Sequence, residues 1–361
     1  MVPALYVHIP FCTRFCPYCD FPKAFYRRDW VAPYLESLFE ETKTKALGQY
    51  ETIYLGGGTP TCLLPADLER VLAFFSPYLV RDGEFSIECN PDTLTQEKIA
   101  LLAKYGVNRL SLGVQSFHPK YRALLTRQGD ERLIREKVGL LKEAGIKNIN
   151  LDIMFALPGE TIEEAKEDIA KAMELGPTHI SAYSLILEPN TPFAKRGILE
   201  ASSDEQADQY EAILSTLESG GYRRYEVSNF SKPGYECRHN LHYWADHEYD
   251  AVGLGAAGHR GNKRYTNTKV FPEYLARKWD GEEEELSRDE ERECFFLSYL
   301  RLVGGFPLQE YESRFGSSFL EDYASALGRL EGNGLLEVAD GQVKATRRGL
   351  LLLDAILLTL F

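Results

Sequence analysis

The sequence predicts an α/β protein whose first part is an open or partial barrel of six parallel strands, a (β/α)6 unit. Six short runs rich in β-branched residues alternate with segments of helical period. This alternation implies a parallel sheet with right-handed crossovers. The strand runs are 5–9, 52–55, 84–88, 109–113, 148–154 and 179–185. The helical segments between them are 33–47, 64–78, 96–105, 131–144 and 162–175.

The alternation stops near the middle of the chain, which divides the sequence into three predicted parts. Residues 1–200 form the partial barrel. Residues 201–285 form a small α+β region that opens with an amphipathic helix at 202–219. Residues 286–361 form a helical domain, in which two short strands around a turn at 340–341 predict a winged-helix-like hairpin.

The charge of the chain argues against nucleic acid as a partner. The net charge is −13 over 361 residues, whereas extended binding to phosphates depends on lysine and arginine. The winged-helix-like domain is therefore interpreted as a scaffold or dimer element rather than as a reader of DNA. The four glutamates at 282–285 are expected to mark a solvated boundary.

The longest apolar run, 350–361, is too short to span a bilayer and contains Asp354. We expect a terminal helix packed on the core or on a partner subunit, with peripheral membrane contact as the alternative. The start of the chain lacks the pattern of a signal peptide, and its seven cysteines then indicate a reducing compartment. The sequence therefore predicts a cytoplasmic protein with no transmembrane segment.

The cysteines with the most informative spacing are Cys12, Cys16 and Cys19, which follow the first predicted strand as C-x3-C-x2-C. A structural zinc site uses four protein ligands, whereas a [4Fe–4S] cluster held by three cysteines keeps one iron open for a substrate or cofactor. The alternatives are zinc with a borrowed fourth ligand such as His8, or unrelated buried cysteines. A disulfide is disfavoured by the reducing compartment.

Polar or glycine-rich residues follow the predicted strands, where the working loops of such a barrel lie. We expect one shared pocket beside the cysteine loop, suited to a ligand with an ammonium, a carboxylate and ribose hydroxyls. Glycine lets the backbone approach a ligand closely, and neither a P-loop nor a G-x-G-x-x-G pattern indicates phosphate binding. Singly, the polar residues could be strand-end caps. The residues are Gly57, Gly58, Thr59, Glu88, Gln115 and Asp152.

Four of the seven histidines fall within 21 positions of the second region, beside several aromatic residues. Histidine with aromatic neighbours is typical of a pocket for a planar ligand, because imidazole ligates iron and rings stack on a macrocycle. The alternative is a packed loop in which each histidine bonds the backbone. The histidines are His239, His242, His247 and His259.

With these residues in place, the chain resembles the oxygen-independent coproporphyrinogen III oxidase family of radical S-adenosylmethionine (SAM) proteins over essentially its whole length. Within that family it is more similar to the HemW heme chaperone branch. Phe21 stands where the oxidases typically carry a further cysteine, and residues 239–244 fit the pattern H-N-x-x-Y-W. The chain also starts almost at the cluster strand, without the longer N-terminal segment of the oxidases.

The resemblance implies three cofactors, and it implies positions for them. A [4Fe–4S] cluster would be held by the three cysteines named above, with SAM on its open iron. Gly129 departs from the family, because many HemW sequences carry a histidine there. The implied SAM contacts are Tyr6, Tyr18, Gly57, Gly58, Thr59, Glu88, Gln115, Arg127, Asp152 and the backbone near Ile186. The implied heme contacts are His239, as the lead candidate, with Tyr243 and Trp244 shaping the site.

The function implied by the resemblance is that of a heme chaperone, which takes up heme and hands it to respiratory heme proteins without oxidative decarboxylation. The alternatives are an enzyme, either the oxidase itself or another radical SAM reaction on a tetrapyrrole, and a zinc-stabilised binding module. The implied partners are heme, heme-accepting respiratory proteins, a second copy in a homodimer, and an electron donor such as flavodoxin if SAM is reduced.

Overall fold

A computed structural model describes residues 2–46 and 48–361 of the protein. Residue 47, the last residue of the predicted helix at 33–47, lies outside the described part. So does residue 1, the first residue of the predicted first domain. The strands are β1 (Ala4–Ile9), β2 (Phe11–Cys12), β3 (Ala24–Phe25), β4 (Tyr50–Gly57), β5 (Leu79–Cys89), β6 (Arg109–Gln115), β7 (Asn148–Phe155), β8 (His179–Ser184), β9 (Arg223–Arg224), β10 (Asn229–Ser231), β11 (Tyr249–Val252), β12 (Ala257–Arg260), β13 (Lys263–Asn267), β14 (Asp280–Glu285), β15 (Phe306–Pro307), β16 (Leu336–Ala339) and β17 (Gln342–Ala345).

In the first half of the chain, helices alternate with strands, as the sequence predicted. Short 3₁₀ turns follow β4, α2 and β5 at Pro60–Cys62, Ser76–Tyr78 and Pro91–Thr93. The α-helices are α1 (Arg28–Lys45), α2 (Pro65–Phe75), α3 (Gln96–Lys104), α4 (Pro119–Leu124), α5 (Glu131–Glu143), α6 (Ile162–Glu174), α7 (Pro192–Lys195), α8 (Ser203–Ser219), α9 (Arg238–Trp244), α10 (Phe271–Leu275), α11 (Arg288–Tyr299), α12 (Leu308–Phe315), α13 (Phe319–Asp322), α14 (Ala324–Gly332), α15 (Arg347–Leu351) and α16 (Leu353–Leu360).

The six predicted barrel strands lie side by side, in the order β1-β4-β5-β6-β7-β8, at the centre of a twelve-stranded sheet. All five pairings between them are parallel. The predicted α/β class and the parallel strand core are therefore confirmed.

The parallel strands have two chemically different faces. Parallel strands covered on both faces are usually apolar throughout. Here one face is apolar and packs with the helices in the main core, as with Leu5, Val7 and Ile53. The registers place polar and aromatic side chains on the opposite face, which lines the inside of the partial barrel. They include Tyr6, His8, Thr52, Tyr54, Glu84, Ser86, Glu88, Arg109, Ser111, Asn150, Asp152, His179 and Ser181.

The region after residue 200 adds strands to both edges of this sheet. On one side, β11 pairs parallel with β1 and is followed by antiparallel β12, β13 and β14. On the other side, β10 pairs antiparallel with β8 and β9 follows it. The hydrogen-bonded sheet is therefore continuous across residue 200, and the three-part domain division stays a prediction.

The acidic run at 282–285 is solvent-exposed, as expected, but it forms the edge strand β14 rather than a linker. Lys263 of the neighbouring strand binds Glu283 at 2.7 Å. Charged side chains along an exposed edge disfavour pairing with a second sheet. The glutamates thus protect the open edge of the barrel sheet.

The C-terminal part has its own apolar core, with the small sheet β15-β17-β16 against α11 to α16. The terminal run packs on this core through Ile356, Leu357 and Leu360, which agrees with the prediction of a packed terminal helix. Among the residues that the structure describes, none of the helices has both the length and the hydrophobicity needed to cross a membrane.

The backbone conformation at the end of β4 requires glycine at position 57. Its φ is +112°, and a Cβ there would lie 2.5 Å from the imidazole of His8. Gly57→Ala should therefore lower the free energy of unfolding by about 2–4 kcal/mol, from backbone strain and overpacking. Denaturant unfolding would measure this. The control is Gly139→Ala in α5, where the space is open and the change should stabilise by about 0.5–1 kcal/mol. Equal effects of the two changes would contradict this account.

Candidate functional site

The cysteine loop begins at the end of β2, directly after the first barrel strand. Cys12 is buried, and Cys16 and Cys19 are half-buried. Burial, together with the charges of Cys19 and Cys16, raises the pKa of Cys12 to about 12. Negative charge on the neighbouring sulfurs therefore disfavours the Cys12 thiolate, and a bound cation would relieve that repulsion. The seven cysteines, all within the described residues, form no disulfide.

The donor set fits an iron–sulfur cluster in its chemistry, because soft thiolates are the usual ligands of iron–sulfur clusters. Across residues 2–46 and 48–361, however, no group of three His, Cys, Asp or Glu side chains is arranged to hold a metal ion as it stands. The loop would have to bring its three sulfurs together around a cluster. The cluster ligands stay a prediction.

A chain of buried hydrogen bonds joins the cysteine loop to the strand ends. Arg127 donates from Nη2 to the Tyr18 hydroxyl at 2.7 Å and from Nη1 to Oδ1 of Asn90 at 2.6 Å. Asn90 in turn donates from Nδ2 to Oγ1 of Thr59 at 2.9 Å. Arg127 retains a buried Nε with no hydrogen-bond partner among the described residues. Three of the predicted SAM contacts thus meet at one edge of the barrel.

The sequence argument missed Asn90, which connects two of these predicted residues. The available signal was its position, two residues after Glu88 where β5 ends. Polar residues at strand ends are expected at the working edge of a barrel. Asn90 is also the N-cap residue of the 3₁₀ turn Pro91–Thr93.

Glu88 and Asp152 form the negative part of the barrel interior. Glu88 accepts from the Tyr54 hydroxyl and from the Gly57 backbone N–H, both at 3.0 Å. Asp152 accepts from Ser111 at 2.9 Å. Burial, followed by the charge of Asp152, raises the pKa of Glu88 to about 7. A cationic or hydroxyl-bearing ligand would stabilise the ionised pair, which agrees with the predicted ammonium and ribose contacts.

The remaining predicted SAM contacts surround this pair. Tyr6 stacks on Tyr54 with ring centroids 6.3 Å apart. Gln115 ends β6 in a left-handed backbone conformation and is 8% exposed. Gly58 could not carry a Cβ, which would lie 2.6 Å from the carbonyl oxygen of Phe11. Ile186, beyond the end of β8, is 64% exposed and lies at the rim rather than in the interior.

His239 lies near the other end of the barrel strands. Its Nδ1 is 2.8 Å from Oγ1 of Thr52, and its Nε2 is 2.7 Å from the Tyr243 hydroxyl. Thr52 precedes Gly57 by five residues in β4, which corresponds to about 16 Å along the strand. His239 is fully buried and its ring stacks on Tyr54. Both ring nitrogens are therefore occupied, and a direct bond to heme iron would require one of these hydrogen bonds to break.

The helix that carries His239 is held by a carboxylate from a distant strand. Cys237 is the N-cap of α9 and makes no side-chain cap bond. Instead, Glu84 of β5 accepts from the backbone N–H groups of Arg238 at 3.0 Å and His239 at 3.2 Å. Glu84 thus serves as the helix cap through tertiary structure, and it fixes α9 against the inner face of the sheet.

The four clustered histidines make three different sets of contacts. His239 is buried, whereas His242 and His247 pair with each other through Nδ1 atoms 3.1 Å apart. His259 is buried separately, with Nε2 2.9 Å from the Gly261 carbonyl oxygen. Trp244 is half-buried, and the Arg301 guanidinium lies 5.2 Å from its ring centroid. The four histidines therefore do not converge on one point.

Known proteins resemble this chain in both sequence and structure. Residues 6–172 match the family model of the radical SAM superfamily, and residues 286–352 match that of the HemN C-terminal domain. The heme chaperone HemW of Lactococcus lactis is 39% identical, covering 95% of this chain and 93% of its own length. HemW of Bacillus subtilis is 36% identical, covering 96% of both chains.

The chain belongs to the HemW heme chaperone family. Its fold also matches the solved structure of coproporphyrinogen III oxidase (HemN) from Escherichia coli, with a TM-score of 0.87 and 25% identity over 99% of this chain and 90% of that one. The radical SAM fold and the family predicted from the cysteine spacing and the H-N-x-x-Y-W pattern are therefore confirmed. Membership of the radical SAM superfamily implies a [4Fe–4S] cluster and SAM.

The raised pKa of Glu88 gives a pH dependence with a definite sign. Its folded value is about 7 against an ordinary 4.5, so the folded ligand-free protein binds this proton more tightly than the unfolded chain does. The resulting stabilisation is complete below the ordinary value and is lost as the pH rises through the folded value. Glu88→Gln should remove this dependence and stabilise the ligand-free protein at about pH 8 by up to about 3 kcal/mol.

Denaturant unfolding of the wild type and Glu88→Gln, between about pH 5 and pH 8, measures this effect. Glu282→Gln is the control, because Glu282 lies on the exposed edge strand. If the wild type and Glu88→Gln lose stability equally over this range, the account of the interior carboxylates is wrong.

The tertiary cap of α9 can be tested separately. Glu84→Ala leaves the buried backbone N–H of His239 and the partly buried N–H of Arg238 without their acceptor, which should cost about 2–3 kcal/mol of stability. Hydrogen exchange should accelerate in the peptide around α9 and stay unchanged in α6, on the far side of the barrel wall. Glu283→Ala, on the edge strand, should leave both peptides unchanged. Unaltered protection of α9 in Glu84→Ala would show that other contacts hold the helix.

Proposed function

We propose that the protein is a heme chaperone that binds heme and transfers it to respiratory heme proteins. The observation that carries this proposal is the likeness to proteins named heme chaperone HemW over nearly their whole length. The H-N-x-x-Y-W segment on α9 supports it, since this segment is braced against the sheet by Glu84. The proposed site lies away from the strand ends that carry the cysteine loop.

The cysteine loop is proposed to hold a [4Fe–4S] cluster through Cys12, Cys16 and Cys19. Once bound, such a cluster supplies one electron at a time and keeps one iron for SAM. The protein contributes position: the Arg127–Tyr18 hydrogen bond at 2.7 Å ties the loop to the barrel. The buried start of the loop keeps water from one side of the site.

The SAM site is proposed to lie along the polar inner face. Glu88 and Asp152 would accept from an ammonium group or from hydroxyls, and Arg127 has a spare buried donor in Nε. Tyr6 and Tyr18 would flank the ligand. The other proposed contacts are Gly57, Gly58, Thr59, Gln115 and the exposed backbone near Ile186.

The heme site is proposed to involve α9, with Tyr243 and Trp244 shaping it. Burial lowers the pKa of His239 well below its usual range, so this imidazole is neutral. The neutral ring can form its hydrogen bond with the Tyr243 hydroxyl at 2.7 Å. Its other nitrogen bonds Thr52 and so ties α9 to β4. His239 is therefore proposed as a supporting residue of the heme site, which acts through Tyr243.

The finer partner assignments follow from this proposal. Acceptors would be respiratory heme proteins, and an electron donor such as flavodoxin would be needed if SAM is reduced. The C-terminal domain, with its exposed Leu358 and Phe361 beside a packed core, would contribute to a homodimer. The protein would act in the cytoplasm, with peripheral contact at the membrane where its acceptors lie.

A second candidate function is coproporphyrinogen III oxidation or another radical SAM reaction on a tetrapyrrole. The likeness in fold to the E. coli oxidase, at a TM-score of 0.87, favours it. The chain has Phe21 where the oxidase pattern has a further cysteine, and this side chain is 67% exposed. That difference is the reason for ranking the enzyme second.

The two functions separate in one experiment on anaerobically reconstituted protein. Heme is titrated by absorbance, and coproporphyrinogen III is then supplied with SAM and a reductant. We expect saturable heme binding and no decarboxylated product, because a heme chaperone binds heme without catalysing the decarboxylation. Cys12→Ser is the matched variant: it should lose the cluster absorbance and retain the fold. Product formation by the wild type would make the protein an oxidase, and absence of heme binding would reject the chaperone.

A further inference from the structure

The H-N-x-x-Y-W helix α9 is covered on its outer side by the C-terminal part of the chain, residues 286–361. Ala245, the residue after the helix, packs on the apolar core of that part. The guanidinium of Arg301, two residues after α11 ends, lies 5.2 Å from the ring centroid of Trp244. From the same helix, His239 faces the barrel interior. The helix is therefore enclosed between the sheet and the C-terminal part.

An ion pair at Asp246 joins the C-terminal part to the end of this helix. Nη2 of Arg314, in α12, is 2.7 Å from Oδ2 of Asp246, and its Nη1 donates to the Asp246 carbonyl oxygen at 3.3 Å. The other carboxylate oxygen accepts from Nη2 of Arg264, in β13, at 2.7 Å. The Asp246 side chain is only 2% exposed. One buried carboxylate thus connects α9, the barrel sheet and the C-terminal part.

The rest of this interface has little apolar packing. The C-terminal part has a core of its own, and among the described residues before it only Val227 and Ala245 pack against that core. A cleft of about 640 Å³ lies between β9 and the hairpin β16–β17. Parts of a chain that are joined mainly by polar contacts are expected to move relative to each other. The C-terminal part can therefore separate from the barrel while its own core stays folded.

The closed arrangement leaves one hydrogen-bond donor of the covered helix unused. Nε1 of Trp244 is buried and has no partner among the residues that the structure describes. A buried N–H without an acceptor raises the free energy of the closed form, because the same group bonds water when it is exposed. Exposure of Trp244 on opening therefore offsets part of what is lost when the ion pair at Asp246 breaks.

We propose that the C-terminal part is a lid over the outer face of α9, with the Arg314–Asp246 ion pair as its latch. The inference rests on the proposed chaperone function and adds the step that admits heme to the helix. Tyr243 and Trp244 are both half-buried when the lid is closed. A macrocycle cannot stack on Trp244 while Arg301 lies over its ring. The lid opens by separation of non-covalent contacts alone.

A lid makes the rate of heme uptake depend on how often the protein is open. If only the open form admits heme, the observed association rate is the rate of the open form multiplied by the open fraction. A change that weakens only the closed form raises this fraction, so uptake becomes faster. Loss of a contact in a scaffold lowers stability without accelerating uptake. The direction of the rate change therefore distinguishes a lid from a scaffold.

The latch variant is Arg314→Gln, and Arg292→Gln is its matched control. The two guanidinium groups lie 5.7 and 5.5 Å from the ring centroid of Phe315. Their side chains are 23% and 25% exposed, and each pairs with an aspartate. The partner of Arg292 is Asp289 in its own helix, whereas the partner of Arg314 lies across the interface. Only Arg314→Gln should therefore loosen the lid.

The first measurement is hydrogen exchange of the full-length, anaerobically reconstituted protein without heme. Arg314→Gln should accelerate exchange about tenfold in the peptide at the end of α9, because loss of one partner of a buried ion pair shifts an equilibrium by that factor or more. Exchange in α14, inside the lid, should stay at the wild-type rate. If α14 also exchanges faster, the lid core itself has loosened, and Arg301→Gln, which removes the cation above Trp244, takes its place. Arg292→Gln should match the wild type.

The second measurement is stopped-flow heme uptake by the same proteins, followed by absorbance. Arg314→Gln should raise the association rate about tenfold, in proportion to its larger open fraction. Arg292→Gln should leave the rate unchanged.

The outcomes separate this inference from the proposed function. Faster exchange at α9 with heme uptake at the wild-type rate would make the C-terminal part a scaffold and overturn the lid. Slower uptake would place the C-terminal part within the heme site itself, which also overturns it. Unchanged exchange at α9 in both Arg314→Gln and Arg301→Gln would reject the latch. A wild-type protein that takes up no heme rejects the proposed function, and the exchange measurement then still decides whether the lid opens.

Discussion

Polar side chains on the inner face of a parallel sheet need partners, because burying an unpaired polar group is costly. This constraint organises the whole barrel. Tyr54 and Gly57 donate to Glu88 near the cysteine loop, and Glu84 accepts from α9 toward the opposite end of the strands. The excess negative charge near Glu88 and Asp152 is what a bound cationic ligand would balance. The same interior thus explains both the fold and its capacity for ligands.

The two regions proposed to bind ligands lie at different heights along the barrel strands. The cysteine loop, Arg127 and Asn90 gather where the parallel strands end, whereas His239 meets Thr52 in the first half of β4. Tyr54 touches both regions, since it donates to Glu88 and stacks on His239. The two regions therefore share one tyrosine of the inner face.

Sequence reasoning located the elements well because their signals are local. The strand starts at Arg109, Asn148 and His179 agree with the predicted runs, since hydrophobic period and glycine or proline punctuation are written into adjacent residues. It failed where contacts are long-range. Nothing local to Asn90 identifies its hydrogen bond with Arg127, and nothing in the H-N-x-x-Y-W segment reveals that His239 is hydrogen-bonded to Thr52.

The sequence by itself determined the α/β class, the three-cysteine loop and the family, because each is encoded in the order and spacing of neighbouring residues. Only the tertiary structure decided which histidines are enclosed. His239, His242 and His247 look equivalent in the sequence, yet His239 is buried against a strand threonine, whereas His242 and His247 contact each other and His247 is exposed. The availability of an imidazole nitrogen depends on what lies within about 3 Å of it, and those neighbours come from distant parts of the chain.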